Sequence, residues 1–344
     1  MTATLAPSAG RITLKQGGGG RAMRTLIEKL FVRDFAALPF EGVGVGAMDD
    51  GAAVKIGDQW LVITTDSHVI HPVFFPGGDI GRLSISGTVN DLAMMGATDV
   101  LALTCAVVLE EGFSIEALQA IQSSMMAACR EARAPVVTGD TKVMGRGELD
   151  GIVINTCGVG LTRTLIRDNG LSAGDAIVVT GSIGEHGLAV MAARHGIEFE
   201  GDLVSDVAPL NSLVASVLDS GAITAMKDPT RGGVASALHE MAAKSSVGIV
   251  LEEDAIPIAP AVRSVGELLG IDPLHVANEG KALLGVRADS VERILGALRA
   301  HPLGRNAAVI GRCTRERPGS IILDTGFGRR LLAEPDGEPL PRIC

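Results

Sequence analysis

The fold of this chain is decided by the stretch Leu83-Ser84-Ile85-Ser86-Gly87-Thr88-Val89-Asn90-Asp91-Leu92-Ala93-Met94-Met95. Its apolar residues recur at helical spacing, which predicts one helix from residue 83 to residue 95. Gly96 follows directly, and glycine is the residue type that commonly ends a helix. The polar pair Asn90-Asp91 lies inside this otherwise apolar stretch, so a segment that builds the core also carries candidate site residues.

Strands are predicted on both sides of this helix. A hairpin with its turn at Gly57-Asp58 comes before it, and a strand of the fully buried type comes after it. An amphipathic helix is predicted at 114–132. The predicted strands of this part of the chain are 53–56, 60–65, 100–109, 135–138 and 152–161. Together they predict one α/β unit packed around the helix at 83–95.

A second α/β unit follows a change in composition near residues 162–169. The chain has 344 residues, a length that suits two domains of ordinary size. We therefore expect the fold class α/β (α+β), with a flexible segment at 1–20 and an N-terminal domain at 21–163. A C-terminal α/β domain is expected at 170–334, followed by a mobile tail at 335–344.

Charge and composition argue against several classes of protein. The net charge is −10 and no basic block stands out, which argues against nucleic acid as the main partner. No apolar run reaches the roughly 18 residues that a membrane-spanning helix needs. The N-terminus lacks the apolar core of a signal peptide. We therefore expect a cytoplasmic protein.

The five cysteines show no Cys-x-x-Cys spacing, so neither a disulfide framework nor a zinc knuckle is indicated. Four lie in or beside apolar segments and are interpreted as core thiols: Cys105, Cys129, Cys157 and Cys313. Cys344 differs because it ends the chain, in Glu338-Pro339-Leu340-Pro341-Arg342-Ile343-Cys344. Two prolines prevent a helix there, so we expect an extended, projecting tail that carries a thiol.

Four acidic sites in the N-terminal half share one local context. Each adjoins an apolar segment and is flanked by Gly, Ser, Thr or Asn: Asp49-Asp50, Asp66, Asp91 and Asp140. A single carboxylate in such a place is commonly a cap or a turn residue. Carboxylates that converge repel one another unless a hard cation neutralises them, and Mg²⁺ bridges carboxylates to phosphate oxygens. The set therefore indicates a site for a nucleotide with Mg²⁺.

Four further segments are candidates with two interpretations each. Lys142, two residues after Asp140, suits either a charge or base beside a phosphate or a solvated loop. Arg231, in a Gly-flanked turn, and Glu279-Gly280-Lys281, before an apolar strand, suit either a site or a structural ion pair. The run Gly17–Gly20 suits either an anion-binding loop or a flexible linker. A metal pair of His68 with His71 is not favoured, because no helix is predicted there.

Taken together, these segments resemble the HypE family of hydrogenase maturation proteins, within the PurM-like (AIR synthase-related) superfamily. The resemblance covers nearly the whole chain. The segments that carry it are Gly17–Arg21, Met48-Asp49-Asp50-Gly51-Ala52, Thr64-Thr65-Asp66-Ser67, Phe74–Gly81, Thr88–Ala97, Gly139-Asp140-Thr141-Lys142, Asp228–Gly233, Asn278-Glu279-Gly280 and Pro341-Arg342-Ile343-Cys344. The aspartate motifs mark the superfamily, and the terminal cysteine marks the HypE family. Gln16 is a mild departure, since the family often has His before the glycine run.

The resemblance implies a PurM-like two-domain fold whose N-terminal domain pairs strands across a homodimer. It implies an enzyme that uses ATP and Mg²⁺ to dehydrate an S-carboxamide on its own terminal cysteine to an S-cyanide, for the iron of a [NiFe] hydrogenase. A HypF-like carbamoyltransferase would load the cysteine, and a HypC–HypD-like complex would accept the cyanide. Neither a nucleic acid nor a membrane partner is implied.

The resemblance also implies a role for individual residues of this chain. The implied catalytic residues are Cys344, Lys142 and Glu279. The implied ATP-binding residues are Asp50, Asp66, Asn90, Asp91, Asp140, Thr141 and Arg231. The implied metal ligands are Asp49, Asp50, Asp66, Asp91 and Asp140.

Two other functions are compatible with the same residues. One is a PurM-like kinase or synthetase that acts on a small molecule and for which the terminal cysteine is incidental. The other is a non-enzymatic carrier whose terminal thiol transports a group or a metal. Removal of the Cys344 thiol separates the kinase from the dehydratase, and the carrier differs from both because it would not hydrolyse ATP.

Overall fold

The computed structural model describes residues 11–197, 202–336 and 343–344. The N-terminal domain contains the strands β1 (Ala52–Ile56), β2 (Gln59–His68), β3 (Phe74–Phe75), β4 (Gly78–Asp79), β5 (Asp99–Glu110), β6 (Val136–Met144) and β7 (Ile152–Thr162). Its helices are α1 (Gly20–Ile27), α2 (Arg33–Phe35), α3 (Ile80–Met94) and α4 (Ile115–Ala132), and a π-helical turn, Glu28–Val32, joins α1 to α2.

Five of these strands form one sheet in the order β1-β2-β7-β5-β6. All neighbours are antiparallel except β5 and β6, which are parallel and are connected through α4. Helix α3 packs against β2, β7 and α4. Thirteen of its fifteen residues are buried, which explains why its sequence is so apolar. The helix predicted at 83–95 is thus confirmed, with its start three residues earlier.

The start and end of α3 are set by local chemistry. At the start, Asp79 Oδ1 accepts hydrogen bonds from the main-chain N–H groups of Gly81 at 2.7 Å and Arg82 at 3.0 Å, which satisfies two amides of the first turn. At the end, Gly96 has φ +84°, and a Cβ there would lie 2.2 Å from the main-chain oxygen of Thr164. Only glycine fits this position.

The C-terminal domain is built around a seven-stranded mixed sheet. Its strands are β8 (Ala176–Val179), β9 (Ile223–Lys227), β10 (Gly248–Glu252), β11 (Leu283–Val286), β12 (Ala308–Thr314), β13 (Ile321–Asp324) and β14 (Arg329–Leu332). Its helices are α5 (Glu185–His195), α6 (Asn211–Leu218), α7 (Gly233–Ser245), α8 (Pro260–Leu269) and α9 (Val291–Ala300). The strand order is β14-β13-β10-β12-β8-β11-β9, and only β10 and β13 are parallel.

The sequence-based elements agree with most of this architecture, but β3, β4, β9, β14 and the end of β6 differ from the predictions. β9 and β14 were not predicted. β9 is short and includes an alanine and a lysine, and β14 begins with two arginines, so neither shows a clear strand pattern. β6 was predicted to end at residue 138 but continues to Met144, so the segment Gly139–Lys142 is a strand rather than a loop. Within the described ranges, none of the helices is long and apolar enough to cross a membrane.

Candidate active site

A cavity of about 630 Å³ lies between the two domains. The N-terminal domain contributes Met48–Ala52, the second half of β2 and Asp91 of α3. The C-terminal domain contributes the end of β9, the start of α7 and Glu279, and the chain terminus Cys344 also lines it. The volume falls within the range of sites that bind small molecules and cofactors.

Four aspartates line the N-terminal wall of this cavity: Asp49, Asp50, Asp66 and Asp91. Asp50 immediately precedes the hairpin, Asp66 lies in β2, and Asp91 lies in the last turns of α3. Thr64 links two of them, because its Oγ1 lies 2.7 Å from Asp91 Oδ2 and 3.0 Å from the main-chain oxygen of Asp50. The hairpin and α3 therefore bring together the carboxylates that the sequence motifs had singled out.

Cations of the C-terminal domain contact part of this acidic wall. Lys227, at the end of β9, forms an ion pair with Asp50 Oδ1 and lies 3.6 Å from Glu240 Oε2. Arg167 Nε donates to Asp49 Oδ2 at 3.4 Å. Asp50 Oδ2 is buried and has no hydrogen-bond partner among the described residues. One oxygen of Asp50 is thus neutralised by Lys227, and the other is left to face the cavity.

Burial raises the pKa of four acidic side chains at the cavity. For Asp91 and Glu279 the neighbouring carboxylates raise it further, whereas for Asp50 the Lys227 ammonium opposes the effect of burial. For Asp228, burial outweighs the opposing Lys227 charge and raises the pKa to about 6. Carboxylates in such surroundings are stabilised in their charged form by an added cation.

The residues present are suited to Mg²⁺ but do not form a complete ligand set. Within the part of the chain that the structure describes, no group of three or more His, Cys, Asp or Glu side chains is arranged to hold a metal ion. Asp50 and Asp91 nevertheless carry buried charge that a cation would offset, and Mg²⁺ usually takes only one or two carboxylates alongside water and phosphate oxygens. The cavity therefore suits a cation that arrives with a nucleotide.

Glu279 is held at the C-terminal wall by its main chain. Its N–H donates to Asp206 Oδ1 at 3.1 Å, and its carbonyl oxygen accepts from Asn90 Nδ2 at 3.2 Å. The next residue must be glycine, because a Cβ on Gly280 would lie 1.9 Å from the main-chain oxygen of Asp206. The side chain is buried, and its Oε1 has no hydrogen-bond partner within the described ranges. The loop thus places this carboxyl at the cavity wall.

The chain terminus lies in the cavity instead of projecting from the molecule. Ile343 is 1% exposed, and the main-chain oxygen of Cys344 accepts a hydrogen bond from the N–H of Val69 at 3.2 Å. The projecting tail expected from the prolines is therefore wrong for the last two residues. The segment that joins them to the C-terminal domain, 337–342, lies outside the described residues, and the mobility of 335–344 stays a prediction.

The glycine run forms part of the cavity wall. Gly18, Gly19 and Gly20 are buried, and α1 begins at Gly20. Gly19 has φ +81°, and a Cβ there would lie 2.8 Å from the Cβ of Arg231. Gly19 and Arg231 both line the cavity, so the close contact places the Arg231 side chain at its edge. The run is therefore packed against the C-terminal domain, whereas residues 1–10 lie outside the described residues.

Four of the predicted site residues are not among those that line the cavity. Asp140, Thr141 and Lys142 are exposed on β6, where Lys142 Nζ lies 2.8 Å from Asp140 Oδ2. The sheet order places β6 three strands from β2, a distance of about 14 Å. Asn90 is buried, and its amide binds main-chain groups of Ala208, Leu210 and Glu279. Asn90 thus positions Glu279 and joins the domains.

Sequence reasoning missed several residues of the site. Lys227 and Asp228 line the cavity, and the motif at 228–233 could have identified Asp228. His68 also lines it; burial lowers its pKa to about 4, and its Nε2 has no hydrogen-bond partner among the described residues. His186 contacts the chain terminus, with Nε2 2.7 Å from the main-chain oxygen of Ile343. No local pattern marks either histidine, because both acquire their roles from long-range packing.

Comparison with known proteins identifies relatives along nearly the whole chain. The model of the AIR synthase related protein N-terminal domain matches residues 48–162, and that of the C-terminal domain matches residues 172–324. The chain is 48% identical to a putative hydrogenase expression/formation protein of Methanocaldococcus jannaschii, over 97% of this chain and 100% of that protein. It is 45% identical to the carbamoyl dehydratase HypE of Rhizobium leguminosarum bv. viciae, over 97% and 95%.

Two solved structures show the same architecture. A HypE–HypF complex contains a chain with a TM-score of 0.83 and 40% identity, which covers 90% of this chain and 99% of that one. HypE in complex with ATP gives a TM-score of 0.80 and 41% identity, over 96% of this chain and 99% of that one. The two-domain architecture described above is therefore shared with proteins whose sequences are clearly related to this one.

Proposed function

This chain belongs to the HypE family of AIR synthase related proteins, and we propose that it is an ATP-dependent carbamoyl dehydratase that acts on its own Cys344. The reaction converts an S-carboxamide on this cysteine to an S-cyanide, which supplies cyanide for the iron of a [NiFe] hydrogenase during maturation. One observation carries the proposal: Cys344 lies in the same cavity as Asp50, Asp91 and Glu279. The substrate and the ionisable groups thus share one enclosed space.

The chemistry explains why ATP is needed. The oxygen of a carboxamide is a poor leaving group, whereas a phosphate is a good one. In the first step the carboxamide oxygen forms a bond to the γ-phosphorus, ADP leaves, and the nitrogen loses one proton. In the second step the carbon–oxygen bond breaks, phosphate leaves with the carbonyl oxygen, and the nitrogen loses its second proton. The products are the S-cyanide, ADP and phosphate.

The described residues suit these steps. Glu279 is the candidate proton acceptor, because its carboxyl is buried at the cavity wall and Oε1 has no partner among the described residues. Burial raises the pKa of Glu279, and a carboxylate with a raised pKa is a stronger base once it is ionised. Attachment of the substrate to the chain raises its effective concentration at this base.

ATP and Mg²⁺ are the proposed cofactors. Asp50 and Asp91 would hold the metal ion together with water and phosphate oxygens, with Asp66 close to Asp91 and Asp49 in an ion pair with Arg167. When bound, Mg²⁺ neutralises charge on the phosphate oxygens during phosphoryl transfer. Arg231 supplies a further positive charge at the cavity edge. One of the relatives described above was solved in complex with ATP.

We infer a homodimer from the remaining predicted residues, which lie on β6. β6 is an edge strand of its sheet, and four of its apolar side chains are exposed by 36–69%: Val136, Val137, Val143 and Met144. Such an edge is suited to pairing with another chain. Pairing across β6 would bury these side chains and carry Asp140, Thr141 and Lys142 toward the cavity of the second copy. We propose that Lys142 and Asp140 complete the site of the partner.

The proposed reaction requires one protein that loads the cysteine and another that accepts the cyanide. A HypF-like carbamoyltransferase would load Cys344, and a structure of a related HypE–HypF complex supports this assignment. A HypC–HypD-like complex would accept the cyanide. We place the reaction in the cytoplasm, where ATP is available.

The proposal is tested by intact-mass analysis of this chain with ATP, Mg²⁺, carbamoyl phosphate and a HypF-like transferase. We expect a carbamoyl adduct that subsequently loses the mass of one water only when hydrolysable ATP is present. The Cys344→Ala variant is the control and should remain unmodified. If the wild-type chain hydrolyses ATP under these conditions but is never modified, it is a kinase or synthetase. An adduct that never loses water would identify a carrier.

A further inference from the structure

We propose that His186 and Ser205 form a latch that holds the terminal dipeptide Ile343-Cys344 in the cavity by its main chain. The inference rests on the proposed function, because it assigns a positioning role in the dehydration of the group on Cys344. Neither residue lines the cavity, so the latch acts from behind the terminus and not on the reacting atoms. It is thus distinct from the acidic groups that face the nucleotide.

The hydrogen bonds of the latch define which ring nitrogen of His186 carries the proton. His186 Nε2 lies 2.7 Å from the main-chain oxygen of Ile343, and a carbonyl oxygen can only accept, so Nε2 carries the proton. Nδ1 lies 2.7 Å from Ser205 Oγ and therefore accepts from the serine hydroxyl. Ser205 Oγ itself accepts from the N–H of Val207 at 3.1 Å. Ser205 thus fixes the tautomer that donates to the terminus.

The surroundings keep the imidazole neutral and oriented. His186 is 0% exposed, and its burial lowers its pKa despite the opposing charge of Asp206. The ring of Phe75 packs edge-on against it, with centroids 5.3 Å apart and an interplanar angle of 89°. A neutral imidazole held in one orientation is a directional donor.

The latch also accounts for the motif Phe74–Asp79, which the nucleotide site does not use. The N–H of Ser205 donates to the main-chain oxygen of Pro76 at 2.8 Å. Gly77 has φ +91°, and a Cβ there would lie 2.8 Å from both the main-chain N and O of Ser205. The turn between β3 and β4 therefore needs glycine in order to hold Ser205, and Phe75 of the same turn orients His186.

The latch uses main-chain atoms of the terminus and the side chain of Ile343. The carbonyl of Cys344 is bound by Val69, and Ile343 packs in an apolar cluster with Phe75, Ile80 and Leu188. The hydrogen bonds from His186 and Val69 are made to main-chain oxygens and so do not depend on what the sulfur of Cys344 carries. The same grip can therefore be applied whether the sulfur carries a proton, a carboxamide or a cyanide.

Cys344 itself is partly exposed, whereas Ile343 is 1% exposed. A grip on Ile343 therefore fixes where the terminal sulfur lies in the cavity, which dehydration requires and loading by a separate transferase does not. Weakening the latch should consequently slow dehydration without slowing carbamoyl transfer. A residue that only supports folding would affect both in the same way.

The test compares His186→Leu, His186→Gln and His195→Leu with the wild-type chain. His195 is an exposed residue at the end of the same helix and provides the matched control. Carbamoylation by a HypF-like transferase and the subsequent loss of water with ATP and Mg²⁺ are timed separately by intact mass in single-turnover reactions. The labelling rate of Cys344 with a maleimide is measured without transferase or ATP, and thermal melting verifies the fold.

We expect His186→Leu to be carbamoylated at least as fast as wild type but to lose water about 10²-fold more slowly, because the carboxamide is no longer held in place. Its Cys344 should react faster with the maleimide. His186→Gln should restore dehydration substantially, because the glutamine amide can donate to the same carbonyl. His195→Leu should behave like wild type.

Equal slowing of both half-reactions in a folded His186→Leu variant, or no restoration by glutamine, would overturn the latch. A failure of the proposed function has a different signature, since the wild-type chain itself would then not be modified. The maleimide rates still report on the latch in that case. Unchanged labelling in His186→Leu would contradict the latch whatever the reaction turns out to be.

Discussion

Two regions of the N-terminal domain carry aspartates in similar sequence contexts but in opposite physical states. At the cavity, burial raises the pKa of Asp50 and Asp91. On the edge strand β6, the hydrogen bond from Lys142 is the main cause of a lowered pKa for Asp140. A cationic ligand would neutralise the charge of the first pair, which is buried. Asp140, in contrast, is exposed to solvent and already forms an ion pair.

This difference is the basis of the proposal that the edge strand of one chain completes the cavity of a second. The cavity has carboxylates with buried oxygens that lack partners within the described ranges, and the edge strand has a lysine and an aspartate exposed beside apolar side chains. The pairing register strengthens the link, because Asp140 aligns with Ala106, Asn155 and Ser67 across the sheet. Asp140 and Asp66 thus lie at nearly the same level of one sheet, three strands apart.

The largest effect is expected from Glu279→Gln, at the cavity. If the carboxylate accepts a proton from the carboxamide nitrogen, dehydration should slow by about 10²–10⁴-fold. Carbamoylation of Cys344 should be spared. Because burial raises the pKa of Glu279, the neutral glutamine should not lower the melting temperature at pH 8. Single-turnover mass analysis measures the rates, and Glu292→Gln on α9 is the control. A normal dehydration rate in the Glu279→Gln variant would remove the proposed base.

The second prediction concerns both the cavity and the edge strand β6, because it tests whether Lys142 acts on the cavity of the partner chain. Lys142→Ala should be inactive in dehydration as a homodimer, as should Glu279→Gln. Mixed dimers of the two variants contain one site with both residues intact, provided that Lys142 acts on the cavity of its partner. Mixing the two inactive proteins after exchange of subunits should therefore restore part of the dehydration activity.

Absence of restoration, in mixtures shown by native mass spectrometry to contain the mixed dimer, would mean that Lys142 does not act in the partner's site. A monomer at micromolar concentration would contradict the dimer itself. The matched control is a mixture of Glu279→Gln with Asp91→Asn, both in the cavity of one chain. Each site of that mixed dimer keeps one defect, so it should stay inactive.

A smaller effect is expected on stability. Burial raises the pKa of Asp228 from 3.8 to about 6, so the folded chain keeps a proton that the unfolded chain loses between about pH 4 and pH 6. Stability therefore falls as the pH rises through this window, and the full cost is present above it. Asp228→Asn stays neutral and should be more stable than wild type by about 1–3 kcal/mol at pH 8. Urea unfolding without nucleotide or divalent cation measures the difference.

The difference between Asp228→Asn and wild type should disappear below about pH 4, where both side chains are neutral. Equal stability of the two proteins at pH 8 would show that the charge of Asp228 is already compensated in the folded chain.

The smallest effect on stability is expected on the edge strand β6. Asp140→Asn removes a carboxylate that contacts Lys142 in solvent, and exposed ion pairs contribute little to stability. Its urea midpoint should match that of wild type at pH 8, while its dehydration rate falls. A clear loss of stability would show that the strand needs this ion pair to fold.

Local patterns in the sequence were sufficient for most of the architecture. Helix α3 and the hairpin of β1 and β2 were predicted because their signals are apolar periodicity, a turn and a terminal glycine. Asp50, Asp66 and Asp91, which the sequence analysis grouped with Asp140, line one cavity, whereas Asp140 does not line it. The motif Gly139–Lys142 shows the limit, because its glycine and aspartate indicate a loop whereas pairing with β5 makes it a strand.

Long-range packing accounts for what the sequence could not predict. The prolines of the tail indicate an extended end, but whether that end projects or docks depends on His186, Ser205 and Val69, which lie 139 to 275 residues away in sequence. Likewise, Lys227 belongs to the site only because β9 ends opposite Asp50. Such contacts produce no periodic pattern that can be recognised in a single sequence.

The central claim is that the carboxamide oxygen on Cys344 is phosphorylated in this cavity. It is tested most directly by loading Cys344 with a carbamoyl group labelled with ¹⁸O and starting a single turnover with unlabelled ATP and Mg²⁺. The account predicts that the label appears in inorganic phosphate, with one labelled oxygen for each S-cyanide formed. Formation of the S-cyanide with unlabelled phosphate, and with the label released into water, would contradict it.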